Sequence, residues 1–293
     1  MPTVCVIGGS RYFGRRLLER LRDAGWAVTV VNRGSAAAPP GVEQLTADRN
    51  DEAALTAALG DRRFDVVIDQ VCSDPTTAAL AHRVFAGRTG RYVLTSSVEV
   101  YSALDAADPL PEEAFDAARH PLTFELPADP AAAYAEGKRQ AEAVFAQTPG
   151  LPYVAVRCAH VLGGGAADFT GRLDHYLTRL RTSAPIAVHP ESRPATFIAY
   201  QEIADFLLWV AGQEFTGPVN ACSHGELDVT GLCALIGGEP VWAAAAAATG
   251  GASPFSFERH YAMDNARAER LGYRFGTVTD WLPGVLAQAR AAH

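Results

Sequence analysis

One lysine, Lys138, stands in the whole chain of 293 residues, so 24 of its 25 basic residues are arginine. The richness in alanine and arginine resembles the drift of a GC-rich genome, but lysine and arginine differ in shape and donor geometry, so the site of the one lysine draws notice. Positive charge is short overall: 33 acidic residues give a net charge of −8 with no basic run, which argues against a nucleic-acid footprint. The five cysteines (Cys5, Cys72, Cys158, Cys222, Cys233) are odd in number and never in CxxC spacing, so neither a disulfide framework nor a zinc site is indicated. No apolar run approaches the roughly 18 to 20 residues of a membrane span. The N-terminus enters Thr3-Val4-Cys5-Val6-Ile7, which reads as a strand and lacks the parts of a signal peptide, so a cytoplasmic protein is expected.

What is present is an ordinary globular composition, 48% hydrophobic with mean hydropathy +0.02. Short β-branched runs alternate with amphipathic segments up to about residue 160. The pattern predicts strands at 3–7, 27–31, 42–46, 65–69, 91–95 and 153–157, and helices near 13–24, 51–59, 76–86 and 133–146. Nearly all-apolar strands spaced by helices imply an α/β fold, a doubly wound parallel sheet of Rossmann-like plan. The segment 102–131, rich in Asp, Glu and Pro, reads as a long surface loop with the length of a lid. Past Arg157 the regularity weakens: Gly163-Gly164-Gly165 ends a strand, a helix is expected over 168–182, then a strand and helix around 196–211, and a glycine-rich break at Gly250-Gly251. The expected division is a nucleotide-binding domain over 1–162, to which about 196–224 return, and a smaller substrate-binding region over 163–293.

The first strand runs into Gly8-Gly9-Ser10-Arg11-Tyr12-Phe13-Gly14 and then a helix. Such a turn lets the backbone approach a pyrophosphate, and the free N–H groups and dipole at the helix start attract its charge. The second strand ends at Asn32-Arg33, where an NAD site usually carries an acid for the ribose hydroxyls. Arg33 and Arg11 suit a 2′-phosphate instead, which favours NADP(H) over NAD(H). Ser96-Ser97 closes a predicted strand and is followed by Glu99 and Tyr101; as a bare pattern, a Ser-Ser at a strand end is more often a turn cap. In Tyr134-Ala135-Glu136-Gly137-Lys138 the spacing of four stacks tyrosine and lysine on one helix face. An ammonium beside a phenol favours the phenolate, which suits the tyrosine to giving and taking a proton.

The ordered set of Gly8, Gly9 and Gly14, Ser97 four before Tyr101, Tyr134 and Lys138 followed by Glu142, and Arg157 in the next strand resembles the extended short-chain dehydrogenase/reductase superfamily, also called the NAD-dependent epimerase/dehydratase family, over roughly residues 3–222. The resemblance implies that Tyr134 exchanges the proton, Lys138 binds the nicotinamide ribose and tunes the tyrosine, and Ser97 hydrogen-bonds the reacting oxygen. It sets Asp48 near the adenine, makes Glu99 a candidate base, and implies a homodimer through a bundle containing the tyrosine helix. Two departures stand out. Arg11 replaces a glycine of the family's TGGxGxxG, as in an atypical branch that includes RNA-binding relatives. Arg157-Cys158-Ala159-His160 replaces the Arg-x-x-Asn of nucleotide-sugar enzymes, which weakens a sugar-nucleotide assignment. His160 and Tyr101 are then expected at the substrate, although a satisfied buried histidine is the commoner case.

Three functions are weighed. The first is an NAD(P)(H)-dependent oxidoreductase acting at a secondary alcohol or ketone of a small metabolite. The second is a nucleotide-sugar epimerase or dehydratase that retains its cofactor. The third is a non-catalytic cofactor-sensing or RNA-binding homologue, against which the intact Ser97/Tyr134/Lys138 set and the acidic charge both weigh. No metal and no membrane partner are expected.

Overall fold

The computed structural model describes residues 1–248 and 251–291, which leaves Gly250 of the expected glycine break outside the described residues. The chain divides into two compact units: 1–102, 112–158 and 204–219 form the first, and 103–111, 159–203 and 220–293 the second.

In chain order the first unit contains β1 (Thr3–Ile7), α1 (Tyr12–Asp23), β2 (Ala27–Asn32), β3 (Glu43–Thr46), α2 (Glu52–Leu59), β4 (Phe64–Asp69), α3 (Pro75–Phe85), β5 (Thr89–Ser97), α4 (Pro130–Gln147) and β6 (Tyr153–Cys158). The second unit opens with β7 (His160–Leu162), α5 (Arg172–Thr182), β8 (Ile186–Val188) and β9 (Ala195–Ala199). The division falls inside the next elements, α6 (Tyr200–Ala211) and β10 (Gly217–Ala221). The second unit then continues with β11 (Glu226–Leu227), α7 (Val229–Ile236), β12 (Trp242–Ala244), α8 (Ala266–Arg270) and α9 (Val278–Ala291). Among the described residues no helix is long and apolar enough to cross a membrane.

The main sheet has seven strands in the order β3-β2-β1-β4-β5-β6-β10, and every pairing from β3 to β6 is parallel. Val4 to Ile7 and Val66 to Asp69 are almost wholly buried because helices cover both faces of the sheet. The apolar cluster on one side joins Ile7, Val67 and Leu94 to Leu80, Phe85 and Phe145. From β1 the chain goes outward to β2 and β3, then returns to β4 on the other side of β1. This reversal opens a crevice beyond the carboxyl ends of β1 and β4, where such sheets bind their ligands.

Helix starts follow local chemistry. Asp74-Pro75 and Asp129-Pro130 begin α3 and α4 alike: the carboxylate accepts the N–H of Thr77 or Ala132, and proline occupies a first-turn position whose N–H has no helical partner. That signal places the start of α4 three residues before the expected 133.

The segment 102–131 is mostly exposed, as expected of a surface loop, but it is tethered along its length. Its first part joins the second unit, where Leu110 bridges to Met263. Its second part lies along α4, held by side chains spaced four and seven apart: Glu136 meets His120, Gln140 bonds Thr123, Phe124 and Glu125, and Gln147 bonds the carbonyls of Ala117 and His120. Residues 121–131 are all exposed, as the polar composition suggested, but side chains of α4 satisfy the strap's polar groups and pin it in place.

Candidate active site

β1 ends at the glycine-rich turn. Gly8 and Gly9 have φ of +84° and +72°, the left-handed region open to glycine, and a Cβ on Gly8 would stand 2.6 Å from Val71 Cγ1. A Cβ on Gly14 would collide with the Gln70 amide oxygen and Gly9 Cα, so this glycine lets α1 start against the turn. Arg11, the departure from the family's motif, sits at φ −135° and ψ 162°, extended backbone that any residue adopts. Its side chain is exposed at the start of α1, and no side chain caps that helix. Tyr12 takes φ +53° and is buried; Phe13 is half-buried beside it, with ring centroids 5.6 Å apart. An uncapped helix start above a cradle too tight for Cβ atoms fits a dinucleotide pyrophosphate.

Asn32, at the end of β2, is already engaged. Its amide donates to Ser10 Oγ at 2.7 Å, while its Oδ1 accepts from Gly34 N–H and Gln44 Nε2. Arg33 is exposed, and neither Arg33 nor Arg11 pairs with a carboxylate among the described residues. Asp48 is exposed past β3, where its carboxylate accepts the Asn50 N–H.

The other end of the site gathers at β5 and α4. Lys138 is 4% exposed, and its ammonium donates to the carbonyls of Cys72 at 2.7 Å and Thr95 at 2.9 Å. Tyr134, one turn earlier on α4, is 44% exposed, with its ring centroid 5.6 Å from the Lys138 ammonium. Ser97 ends β5 and caps the following turn of 3-10 helix (Val98–Tyr101) by accepting the Glu99 N–H at 3.2 Å; a hydroxyl so engaged still has its proton to donate. Glu99 is half-buried.

Two expectations fail on position. Tyr101, expected at the substrate, is wholly buried and its hydroxyl accepts from Arg157 Nη1 at 2.8 Å, so it belongs to the interior. His160, in the second unit, is 6% exposed and boxed by Phe197, Phe255, Phe257 and Tyr261. Burial, helped by the charge of Arg172, pushes its pKa down to about 3, which makes it a neutral core ring with its Nε2 unbonded.

Several residues escaped notice in the sequence. Gly137, inside the Tyr134–Lys138 spacing, lies where a Cβ would collide with Ser73 O, so α4 seats directly on the turn that follows β4. Asp69, at the end of β4, is wholly buried and accepts from Val71 N–H, Cys72 N–H, Arg49 Nη2 and Tyr92 Oη. Glu142 and Arg157, noted in the sequence only as members of the ordered set, form a second buried pair, joined by Ser96. Only the Asp74-Pro75 start of α3 hinted at a shaped turn there. Among the described residues no cluster of His, Cys, Asp or Glu is arranged to hold a metal ion.

Residues 4–220 match the family model described as the NAD dependent epimerase/dehydratase family. The chain belongs to this family, whose members are enzymes. Family membership accords with the Rossmann-like sheet and with the glycine cradle at the end of β1. Among solved structures, the Bordetella bronchiseptica enzyme WbmH, in complex with NAD+, is similar with a TM-score of 0.75 and 18% identity over 99% of both chains. A UDP-glucose 4-epimerase from Thermotoga maritima, solved with UDP-glucose, gives 0.75 and 17% over 99% of both chains. At such identity the likeness is one of fold. A 2′-dehydrokanamycin reductase from Streptomyces kanamyceticus is 36% identical over 97 residues, which are 32% of this chain and 27% of that protein. The chain thus matches little more than a quarter of that relative's length.

Proposed function

We propose that this family member is an NADP(H)-preferring oxidoreductase that transfers hydride at a secondary alcohol or ketone of a small metabolite. The observation that carries the reading is the Tyr134–Lys138 pair: an open phenol one helical turn from a buried ammonium tied to two carbonyls. In the reducing direction Ser97 donates a hydrogen bond to the substrate oxygen, and Tyr134 Oη gives that oxygen its proton. Lys138 holds its positive charge beside the phenolate left behind, which favours the transfer. The bound nicotinamide supplies the hydride that reaches the carbonyl carbon. The glycine cradle and the start of α1 would hold the pyrophosphate, and Lys138 the nicotinamide ribose.

The preference for the 2′-phosphate rests on three features together. Asn32 has its oxygen occupied by two donors, no acid ends β2, and Arg11 and Arg33 stand exposed without carboxylate partners among the described residues. The named reductase relative accords with an enzyme that consumes reduced cofactor. Glu99, beside Ser97, favours a second reading, a dehydratase or epimerase with internal return of hydride.

Calorimetric titration with NADPH and NADH, on protein first checked for retained nucleotide, separates the two. Tighter NADPH binding that is lost in Arg33→Asp supports the reductase; retained nucleotide and NADH preference support internal redox. Tyr134→Phe is expected to lower turnover by about 10² to 10⁴ at unchanged cofactor affinity.

A further inference from the structure

We propose that Asp69 is the positioning residue for Lys138, acting through the turn between β4 and α3; the inference rests on the functional reading above only for what Lys138 then does.

The two carbonyls that hold the ammonium differ in what fixes them. Thr95 lies inside β5, where the parallel ladder with β6 pairs it with Val156 and fixes its peptide. Cys72 lies three residues past the end of β4 and three before α3, outside any ladder. What shapes the chain there is Asp69: its Oδ1 accepts the N–H groups of Val71 and Cys72, both at 3.0 Å, which bends the backbone as an Asx turn does and aims Cys72 C=O at Lys138 Nζ. The other oxygen is held from outside the turn, by Arg49 Nη2 at 2.8 Å and Tyr92 Oη at 2.6 Å. Four donors therefore occupy the four lone-pair directions of a fully buried carboxylate, and its orientation has no freedom left. Gly137 completes the arrangement by letting α4 rest against Ser73 O, the next carbonyl along. A lysine stem is flexible, and a fixed carbonyl at its tip converts it into a fixed charge. The third ammonium proton has no hydrogen-bond partner among the described residues, which leaves it for a ribose hydroxyl.

Because the chain has a single lysine, its ammonium nitrogen gives one side-chain resonance in protein made with isotope-labelled lysine, and no substrate is needed to observe it. Two double variants remove the buried charges together, so neither strands an ion. Arg49→Met/Asp69→Asn keeps an oxygen for the turn, whereas Arg49→Met/Asp69→Leu keeps none. The first is expected to retain a slowly exchanging ammonium signal and to bind NADPH within about twofold of the parent. The second, with native circular dichroism, is expected to lose that signal to solvent exchange. It should also weaken NADPH by about tenfold or more, the size of one lost hydrogen bond to a charge, while adenosine 2′,5′-bisphosphate, which lacks the nicotinamide end, binds as before. If leucine prevents folding, alanine at the same position in the same background serves. A folded variant without the acceptor that keeps the protected signal overturns the proposal, as does equal weakening of both ligands. If the parent binds no dinucleotide, the functional reading fails, and the ammonium signal alone still decides the role of Asp69.

Discussion

Arg157 and Arg49 both lie buried in the first unit beside a wholly buried carboxylate, with a tyrosine hydroxyl bonded to the pair, yet the two groups are centred on opposite charges. Around Arg157 the cation is saturated: Glu142 takes it through both oxygens, Tyr101 Oη accepts from it, and the carbonyls of Glu112 and Phe115 complete the set, with the Tyr101 and Phe115 rings 5.1 Å from the guanidinium carbon. Around Asp69 the anion is saturated, while Arg49 leaves Nε and Nη1 without an oxygen partner. A saturated cation ties α4 and β6 to the strap and makes a clamp. A saturated anion at a strand end shapes the turn after it. Burial opposes the charge on both arginines, but the neighbouring carboxylate wins in each case and holds the guanidinium charged, so neither group loosens by arginine deprotonation.

The largest test of this contrast is Arg157→Met. It leaves Glu142 buried with Ser96 as its remaining hydrogen-bond partner among the described residues, and about 3–5 kcal/mol of stability should disappear in urea unfolding. Arg49→Met should cost less, about 1.5–3 kcal/mol, because Asp69 keeps three donors; equal losses for the two variants would break the comparison.

His160 sharpens it from the second unit, as a buried ionisable ring without an acid beside it. Its pKa is about 3 when folded against 6.5 as the ordinary value, so between these the unfolded chain binds more protons and stability falls as pH falls. The loss should reach about 2 kcal/mol by about pH 5 and vanish in His160→Leu, read from urea midpoints at pH 5 and 7.5. The smallest effects are those of Tyr101→Phe and Tyr92→Phe, each about 1 kcal/mol for one hydroxyl bond. Only Tyr92→Phe, on the saturated anion, should also alter the Lys138 ammonium resonance.

Much of the first unit is legible because its signals are local. Strands at 3–7 and 153–157 and the helix from 51 agree with the structure to within a residue, since an apolar run and an aspartate cap need only a few neighbours to act. The strap over 112–125 is legible as a polar surface loop but its attachment is not, because Glu136, Gln140 and Gln147, which hold it, are connected to it by no local rule. Tyr101 was misplaced for a related reason: its offset from Ser97 was readable, but the direction of its ring depends on Arg157, 56 positions away.

The sequence by itself determined the α/β class, the glycine cradle that Cβ atoms would fill, and the single lysine one helical turn from a tyrosine, because each follows from side-chain chemistry over a few residues. Only the tertiary structure decided what holds that lysine. Its partner carbonyl on Cys72 is 66 positions away, aimed by a carboxylate whose other ligands, Arg49 and Tyr92, come 20 positions before and 23 after it. Hydrogen bonds of that reach exist only once the parallel sheet has brought the carboxyl ends of β4 and β5 together under α4.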